Sequence, residues 1–454
     1  MELCNKKVVV VGTGVSGIGT VKLLAGTGAV ITLYDGNEKA DRNAIMAKLP
    51  ENVEVELIIG EMPQHTVNAT DLLVISPGVP IDSHIVGMFE DAGVPVWGEI
   101  ELAYNYEKGT VYAITGTNGK TTTTSLVGEI MSNYNEKTYV VGNIGTSYTG
   151  KVKETSEDSI TVAEISSFQL ETIQDFAPRG TAILNITPDH LDRHYTMENY
   201  GKVKESITKN QWVHNADDFC VLNFDDEELR RFGDTLPNAI YFSRKNKPKK
   251  GAYLSGSMIR YVADGLEEDI VSVEDMHIFG NHNYENVMAA IALTKEAGVP
   301  VDIIRETVKS FKGVEHRIEY VRELNGVKYY NDSKGTNPDS SIKALEAMSR
   351  PTILIAGGYD KHSEFDEFID AFDNKVKLLV LLGQTAEQIE NTARSHGFDK
   401  IVRTDSLKEA VEVCYKDAEE GDVVLLSPAC ASWGMFTNYE ERGILFKEYV
   451  NELK

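Results

Sequence analysis

Short apolar runs that stop abruptly in glycine-rich or polar loops, each followed by a helical stretch, are what most restrict the fold of this chain. Residues 7–11 run into Gly12-Thr13-Gly14-Val15-Ser16-Gly17, and residues 112–114 run into Thr115-Gly116-Thr117-Asn118-Gly119-Lys120-Thr121-Thr122. Further runs occur at 30–34, 71–75, 138–141, 161–165, 181–186, 352–356, 377–382 and 423–426. Strands that are apolar throughout must be covered on both faces, and parallel pairing supplies that cover through crossover helices. The pattern predicts an α/β chain on parallel sheets, with its chemistry in loops at the carboxyl ends of the strands.

The 454 residues correspond to two to four domains at roughly 100–200 residues each. The sequence turns more polar over 97–108 and a new strand–loop–helix unit starts at 111, which places a boundary near residue 98. A β-rich stretch from 219 to about 276 enters the middle part, a helix is expected over 283–297, and 313–317 reads as a connector. A hairpin-like pair at 318–323 and 327–331 opens the last part. Three α/β domains are expected: 1–98, 99–313 and 314–454.

With 45 Lys and Arg against 70 Asp and Glu, the formal charge is −25. A chain this acidic is a poor partner for nucleic acid, which requires a basic face. Small anions are still admissible, because local donors hold them. No apolar run approaches the roughly 18 residues needed to span a bilayer, and the run at 8–11 is too short for a secretory signal. Cys4, Cys220, Cys414 and Cys430 lie far apart with no CxxC spacing. Reduced thiols and a cytosolic location are expected.

Gly12 to Gly17 follow a strand and open a helix, and Asp35 ends the next strand. Such glycines let the backbone approach a pyrophosphate at a helix N-terminus, while the acid accepts a ribose hydroxyl. NAD is the familiar occupant, yet a UDP-sugar presents the same groups, and a ligand-free glycine turn is the structural alternative. Thr115 to Thr122 is the sharper signal. Its amides and Lys120 can neutralise β- and γ-phosphates, and the Thr121 hydroxyl can reach a metal ion. Two residues separate Gly116 from Gly119, where the standard phosphate loop has four.

Glu164 is flanked by apolar residues, where an unpaired carboxylate is costly unless a cation relieves it. His190 sits just past a strand in Pro188-Asp189-His190-Leu191-Asp192-Arg193-His194, and alone it reads as structural. Lys204, four residues beyond Tyr200, reads by itself as a solvated lysine. Asp332-Ser333-Lys334, Gly357-Gly358-Tyr359-Asp360-Lys361 and Ser427-Pro428-Ala429-Cys430-Ala431-Ser432 all follow apolar strands, so three polar loops share one kind of sheet edge.

Taken in order, GTNGKTTT, EISSFQLE, TPDHLDRH, GNHNYEN, HRIE, NDSKGTNP and SPACAS give a chain that resembles the Mur ligase family, ATP-dependent amide-forming enzymes of peptidoglycan precursor synthesis. The resemblance covers essentially the whole chain. SPGVP, and Asp332-Ser333-Lys334 where other members carry a histidine- or asparagine-based motif, point to the member that adds D-glutamate.

The resemblance implies a Rossmann-like N-terminal domain, a central P-loop-type ATPase domain with a parallel sheet, and a Rossmann-like C-terminal domain. It implies UDP-N-acetylmuramoyl-L-alanine, D-glutamate and ATP as partners, an acyl-phosphate intermediate, and a monomer without nucleic acid or membrane. Mg²⁺ is implied as two ions, with Mn²⁺ as a substitute. Gly12, Gly14, Val15, Ser16, Gly17, Asp35, Gly36 and Asn143 would hold the UDP-sugar. Gly36-Asn37 departs from relatives that offer the uracil a hydroxyl and a basic side chain. Thr115, Gly116, Thr117, Asn118, Gly119, Lys120, Thr121 and Thr122, with Asn283, Asn286, Arg317 and Asp332, would bind ATP. Lys120, Glu164, His190 and Lys204 would be catalytic; Thr121, Glu164, His190 and Lys204 as its carbamate would hold metal. Lys334, Thr336, Lys361, Ser432 and Tyr439 would surround the incoming amino acid.

Three other readings predict something different. A folylpolyglutamate-type ligase would share the ATP loop but not Asp332-Ser333-Lys334 together with the N-terminal nucleotide fold. An NAD-dependent dehydrogenase would leave Thr115 to Thr122 without a role. A nucleotide sensor would bind ATP without turnover.

Overall fold

The structure, a computed structural model, describes residues 3–51, 53–359 and 363–454. It divides into two compact units, one of Met1–Asp275 with Glu285–Lys309 and one of Met276–Tyr284 with Ser310–Lys454. Among the described residues no helix is long and apolar enough to cross a membrane.

The first unit holds two sheets. One is built from β1 (Lys7–Val11), β2 (Val30–Asp35), β3 (Val55–Ile59), β4 (Leu72–Ile75) and β5 (Val96–Gly98), all parallel in the order β3-β2-β1-β4-β5. Along β1, Val8 and Val10 enter one core while Val9 and Val11 enter another, so both faces are buried as the apolar run predicts. Strand order reverses between β1 and β4. This is the switch point at which a doubly wound sheet opens a crevice.

The second sheet comprises β6 (Thr110–Thr115), β7 (Thr138–Gly142), β8 (Ile160–Glu164), β9 (Gly180–Ile183), β10 (Phe219–Asn223), β11 (Ala239–Ser243), β12 (Gly251–Ser255), β13 (Met258–Ala263) and β14 (Leu266–Ser272). Its order is β14-β13-β12-β11-β10-β9-β6-β8-β7, parallel as far as β12 and antiparallel through β13 and β14. Asp264-Gly265, both at positive φ, make the two-residue turn between β13 and β14. The expected β-rich insertion is therefore the extended edge of the central sheet.

The second unit carries β15 (Glu319–Leu324), β16 (Val327–Asn331), β17 (Thr352–Ala356), β18 (Val376–Leu381), β19 (Ile401–Arg403) and β20 (Val423–Leu426), in the order β15-β16-β20-β17-β18-β19. Only β15 runs antiparallel, turned by Asn325-Gly326 at positive φ. Leu354 and Leu425 bury toward one layer while Ile353, Ile355 and Val424 bury toward the other.

Candidate functional site

At the first unit's switch point, Gly12 (φ +103°) ends β1; a Cβ there would lie 2.6 Å from Ser76 Oγ. A Cβ on Gly17 would lie 1.8 Å from the Gly12 carbonyl oxygen, so only glycine allows the helix Val15–Leu24 to start this close to its strand. Gly14 caps that helix without a side-chain hydrogen bond, and Val15 is 72% exposed. The first-turn amides are thus left to a ligand or water. Asp35 accepts from Thr13 Oγ1 and from the Asn37 amide (2.9 Å), and Gly36 packs beside the Tyr34 hydroxyl. The Ser76 hydroxyl, at the end of β4, is buried without a hydrogen-bond partner among the described residues.

In the central sheet, β6 lies between β8 and β9 and delivers the second glycine loop. Gly116 (φ +148°) packs on Leu184 and Asn185, and Gly119 (φ +85°) packs under Asn286 Oδ1. Asn185 fixes the loop by accepting from the Asn118 amide (2.8 Å) and donating to its carbonyl (3.1 Å). Thr121 and Thr122 are buried in the first turn of the helix Lys120–Tyr134, and Thr117 Oγ1 lies 3.2 Å from the Tyr200 hydroxyl. The Thr115 hydroxyl is buried without a partner among the described residues.

Two ammonium groups meet on this loop. Lys120 Nζ donates to the carbonyls of Gly116 and Thr117 (2.8 Å each), and Lys204 Nζ donates to the same Gly116 carbonyl (2.9 Å). Lys204 is not the solvated lysine its sequence context indicates. It is 1% exposed, near the end of the helix Met197–Glu205, with the Tyr200 ring 4.5 Å from its nitrogen. Burial, followed by the charge of Lys120, holds its ammonium well below the usual lysine range.

Glu164 ends β8 in register with Ile114 and Gly142, so three strand ends bring it to the same edge. It is 1% exposed; Oε1 accepts from Asn143 Nδ2 (2.8 Å), while Oε2 has no partner among the described residues. His190 takes a left-handed conformation (φ 52°) ahead of the helix Leu191–His194 and lies edge-on to Phe168, ring centres 4.7 Å apart. A buried orphan carboxylate oxygen and a hydroxyl are the hard oxygen donors that a divalent cation of the Mg²⁺ or Mn²⁺ type accepts, with the imidazole a softer nitrogen donor, so Glu164 and Thr121 carry the fit.

In the second unit, Asp332 follows β16 and is fully buried, accepting from Ser427 Oγ (2.7 Å) and the Ile318 amide (3.2 Å). Burial pushes its carboxyl up to about 6, against the opposing pull of Arg317. Arg317 and Asn283, with Phe279, Ile278 and Tyr330, line a cavity of about 700 Å³. Glu315, His316 and Glu319 gather their ligand-type atoms within 4.8 Å, but Lys447 bridges both carboxylates and Asn331 bonds His316 and Glu319. Lys334 Nζ lies 5.4 Å from the Tyr439 ring; Thr336 follows in the same loop, and Ser432 is buried in the loop after β20. Lys361 lies outside the described residues.

Sequence patterns of one family match in chain order: Mur ligase MurD-like, N-terminal domain, over residues 6–98; Mur ligase middle domain over 114–294; and Mur ligase, glutamate ligase domain, over 316–430. A relative named UDP-N-acetylmuramoylalanine--D-glutamate ligase in Lachnospira eligens is 61% identical over 454 residues, covering 100% of both chains. The chain belongs to the Mur ligase family. A Clostridioides difficile protein of the same name is 46% identical, again over 100% of both chains. Among solved structures, UDP-N-acetylmuramate-alanine ligase of Thermotoga maritima matches with a TM-score of 0.61 at 19% identity, over 99% of this chain and 100% of that one, a likeness of fold. The three-domain α/β architecture is thus that of a Mur ligase.

Three residues of this Mur ligase escape sequence reasoning. Ser76 is legible only as the end of a strand. Arg193 reads as a surface loop residue, yet it donates to the carbonyls of Pro77 (3.0 Å) and Val79 (3.2 Å), pairs with Glu171 and stacks 4.1 Å over Phe168. Arg442 carries no local signal, and it is buried against two of the polar loops.

Proposed function

We propose that this Mur ligase joins D-glutamate to UDP-N-acetylmuramoyl-L-alanine at the expense of ATP. The observation that carries the reading is a glycine-opened phosphate loop bearing Lys120 at the end of β6, with Glu164 at the end of the adjacent β8 keeping a buried carboxylate oxygen without a partner among the described residues. Full-length relatives bearing the name of this reaction supply the substrates. Domain boundaries at 1–98, 99–313 and 314–454 enclose the three family matches. A monomeric, cytoplasmic enzyme accords with such soluble substrates.

A carboxylate resists amine attack, so it must first be activated. The alanyl carboxylate oxygen attacks the γ-phosphorus of ATP, the bond to the β-bridging oxygen breaks, and ADP leaves an acyl phosphate. Lys120 and the amides of Gly116 to Thr122 carry the charge on the moving phosphoryl group, Lys120 exchanging its two backbone carbonyls for phosphate oxygens. The D-glutamate amine, having lost a proton, attacks the acyl carbon, and the tetrahedral intermediate expels phosphate to leave the amide.

Asn283, Asn286, Arg317 and Asp332 complete the ATP site in this reading, with Arg317 and Asn283 lining the cavity that takes the nucleoside. Gly12 to Gly17, Asp35 and Gly36 take the UDP group, and Asn143 the sugar-peptide; Lys334, Thr336, Lys361, Ser432 and Tyr439 take D-glutamate. Thr121, Glu164, His190 and Lys204 would hold divalent cations, two Mg²⁺ or Mn²⁺ in their place, which supply positive charge to phosphate and acyl oxygens when bound. Burial and the charge of Lys120 disfavour the ammonium of Lys204, a direction that suits the addition of CO₂ to its amine, which would release a proton and give an anionic carbamate. Phosphate release measured with ATP and UDP-N-acetylmuramoyl-L-alanine, scanning D- and L-amino acids, is expected to respond to D-glutamate. A silent D-glutamate well overturns the reading.

A further inference from the structure

Arg442 stands in the first turn of the helix Tyr439–Glu452 and is 2% exposed. Its Nε donates to Ser333 Oγ (3.0 Å), its Nη2 to the Ser333 carbonyl (2.8 Å), and Nη1 and Nη2 both to the Cys430 carbonyl (3.2 Å each). Every acceptor is neutral, and among the described residues no carboxylate is hydrogen-bonded to it. A guanidinium is ordinarily buried only against an anion, because its desolvation is costly. Burial brings this one down to about 10, so it stays charged at neutral pH.

The two segments it ties are the loops that carry the proposed amino-acid ligands. Ser333 precedes Lys334, and Cys430 comes two residues before Ser432. Ser333 Oγ also donates to the Tyr439 carbonyl (2.8 Å), which anchors the helix start to the same loop. Ala429, next to Cys430, is held at φ 57°. A non-glycine residue persists in that region only where its surroundings impose it.

We propose that Arg442 is a positioning residue of the amino-acid pocket: it locks the Lys334 loop against the Ser432 loop and so sets their spacing for a dicarboxylate. The inference rests on the D-glutamate ligase reading. A planar fork holds two backbone carbonyls at a set spacing, and the charge of the buried Asp332 offsets part of the guanidinium's.

Steady-state phosphate release on the full chain tests it, with each of the three substrates varied in turn. Arg442→Gln is expected to raise the D-glutamate KM at least tenfold while the KM values for ATP and the UDP-sugar stay within threefold; Arg442→Lys, which restores charge without the fork, should recover part of that loss. A lowered kcat with the D-glutamate KM unchanged refutes the role. Should melting curves show that the Arg442 variants do not fold, Ser333→Ala removes the Nε acceptor and the hydroxyl's bond to the Tyr439 carbonyl while leaving the two backbone carbonyl acceptors of Arg442, and is expected to raise the D-glutamate KM about threefold, an unchanged value again refuting it. An unsubstituted enzyme silent with D-glutamate overturns both this inference and the reaction, whereas an active one with an unaltered Arg442→Gln overturns this inference alone.

Discussion

Asp332 shows how much a residue's surroundings add to its type. It has no exposed surface, and burial raises its carboxyl from the ordinary 3.8 to about 6. Between those values the native chain holds a proton that the unfolded chain has released, so this group's contribution to stability falls as pH rises from about 4 to about 6. The total is on the order of 3 kcal/mol. Asp332→Asn is nearly isosteric and cannot ionise. Its melting temperature relative to wild type is therefore expected to be higher at pH 8 than at pH 5, and on the proposed ATP role of Asp332 turnover is expected to fall. Equal offsets at the two pH values would show that the burial cost is met elsewhere. The Gly116 carbonyl makes a related point, since the two lysines bonded to it are 84 residues apart in sequence numbering, Lys120 and Lys204. Nothing local to Lys204 announces that meeting.

At the scale of elements, a connecting segment is fastened by a polar side chain from a short helix. Glu101, in the helix Glu99–Tyr104, is fully buried. Its carboxylate accepts from the backbone amides of Gln174 (2.8 Å), Asp175 (2.8 Å) and Phe176 (3.2 Å). Glu101→Gln would turn an amide NH₂ toward those donors, with an expected loss of about 2–3 kcal/mol, read as a lower melting temperature. An unshifted melting curve would mean that the segment 174–176 holds itself. The strands themselves were largely legible: β1, β17 and β20 fall where their apolar runs lie, and Asn325-Gly326 marks its hairpin. β3 was not, because Glu56 interrupts it, and β5 and β19 are only three residues long. Such strands exist because a neighbouring edge pairs with them, which periodicity cannot display.

For the molecule as a whole, the −25 charge coexists with proposed anion sites that use Lys120, Arg317 and Lys334. Net acidity keeps polyanions off the surface, while individual cations set into loops receive small anions. The chain also crosses between units more than once, since Met276–Tyr284 belongs with Ser310–Lys454 while Glu285–Lys309 returns to the first unit. Phe279 sits on that crossing segment, with its ring 5.5 Å from Tyr330. Phe279→Ala is therefore expected to speed hydrogen exchange in β15 and β16 and to leave β1 and β4 unaffected. Faster exchange confined to Glu285–Lys309 would reassign the segment.

The sequence by itself determined what depends on neighbours along the chain: parallel α/β architecture, the two glycine loops, the turn residues, and through its motifs the family. Backbone freedom at glycine and apolar periodicity are local properties, so they can be read in order. Only the tertiary structure decided the sheet orders, the burial of Lys204, the orphan oxygen of Glu164, and the clasp of Arg442 on Ser333 and Cys430. Desolvation and hydrogen-bond partnership depend on which distant segments close over a group, and packing of the whole chain sets that.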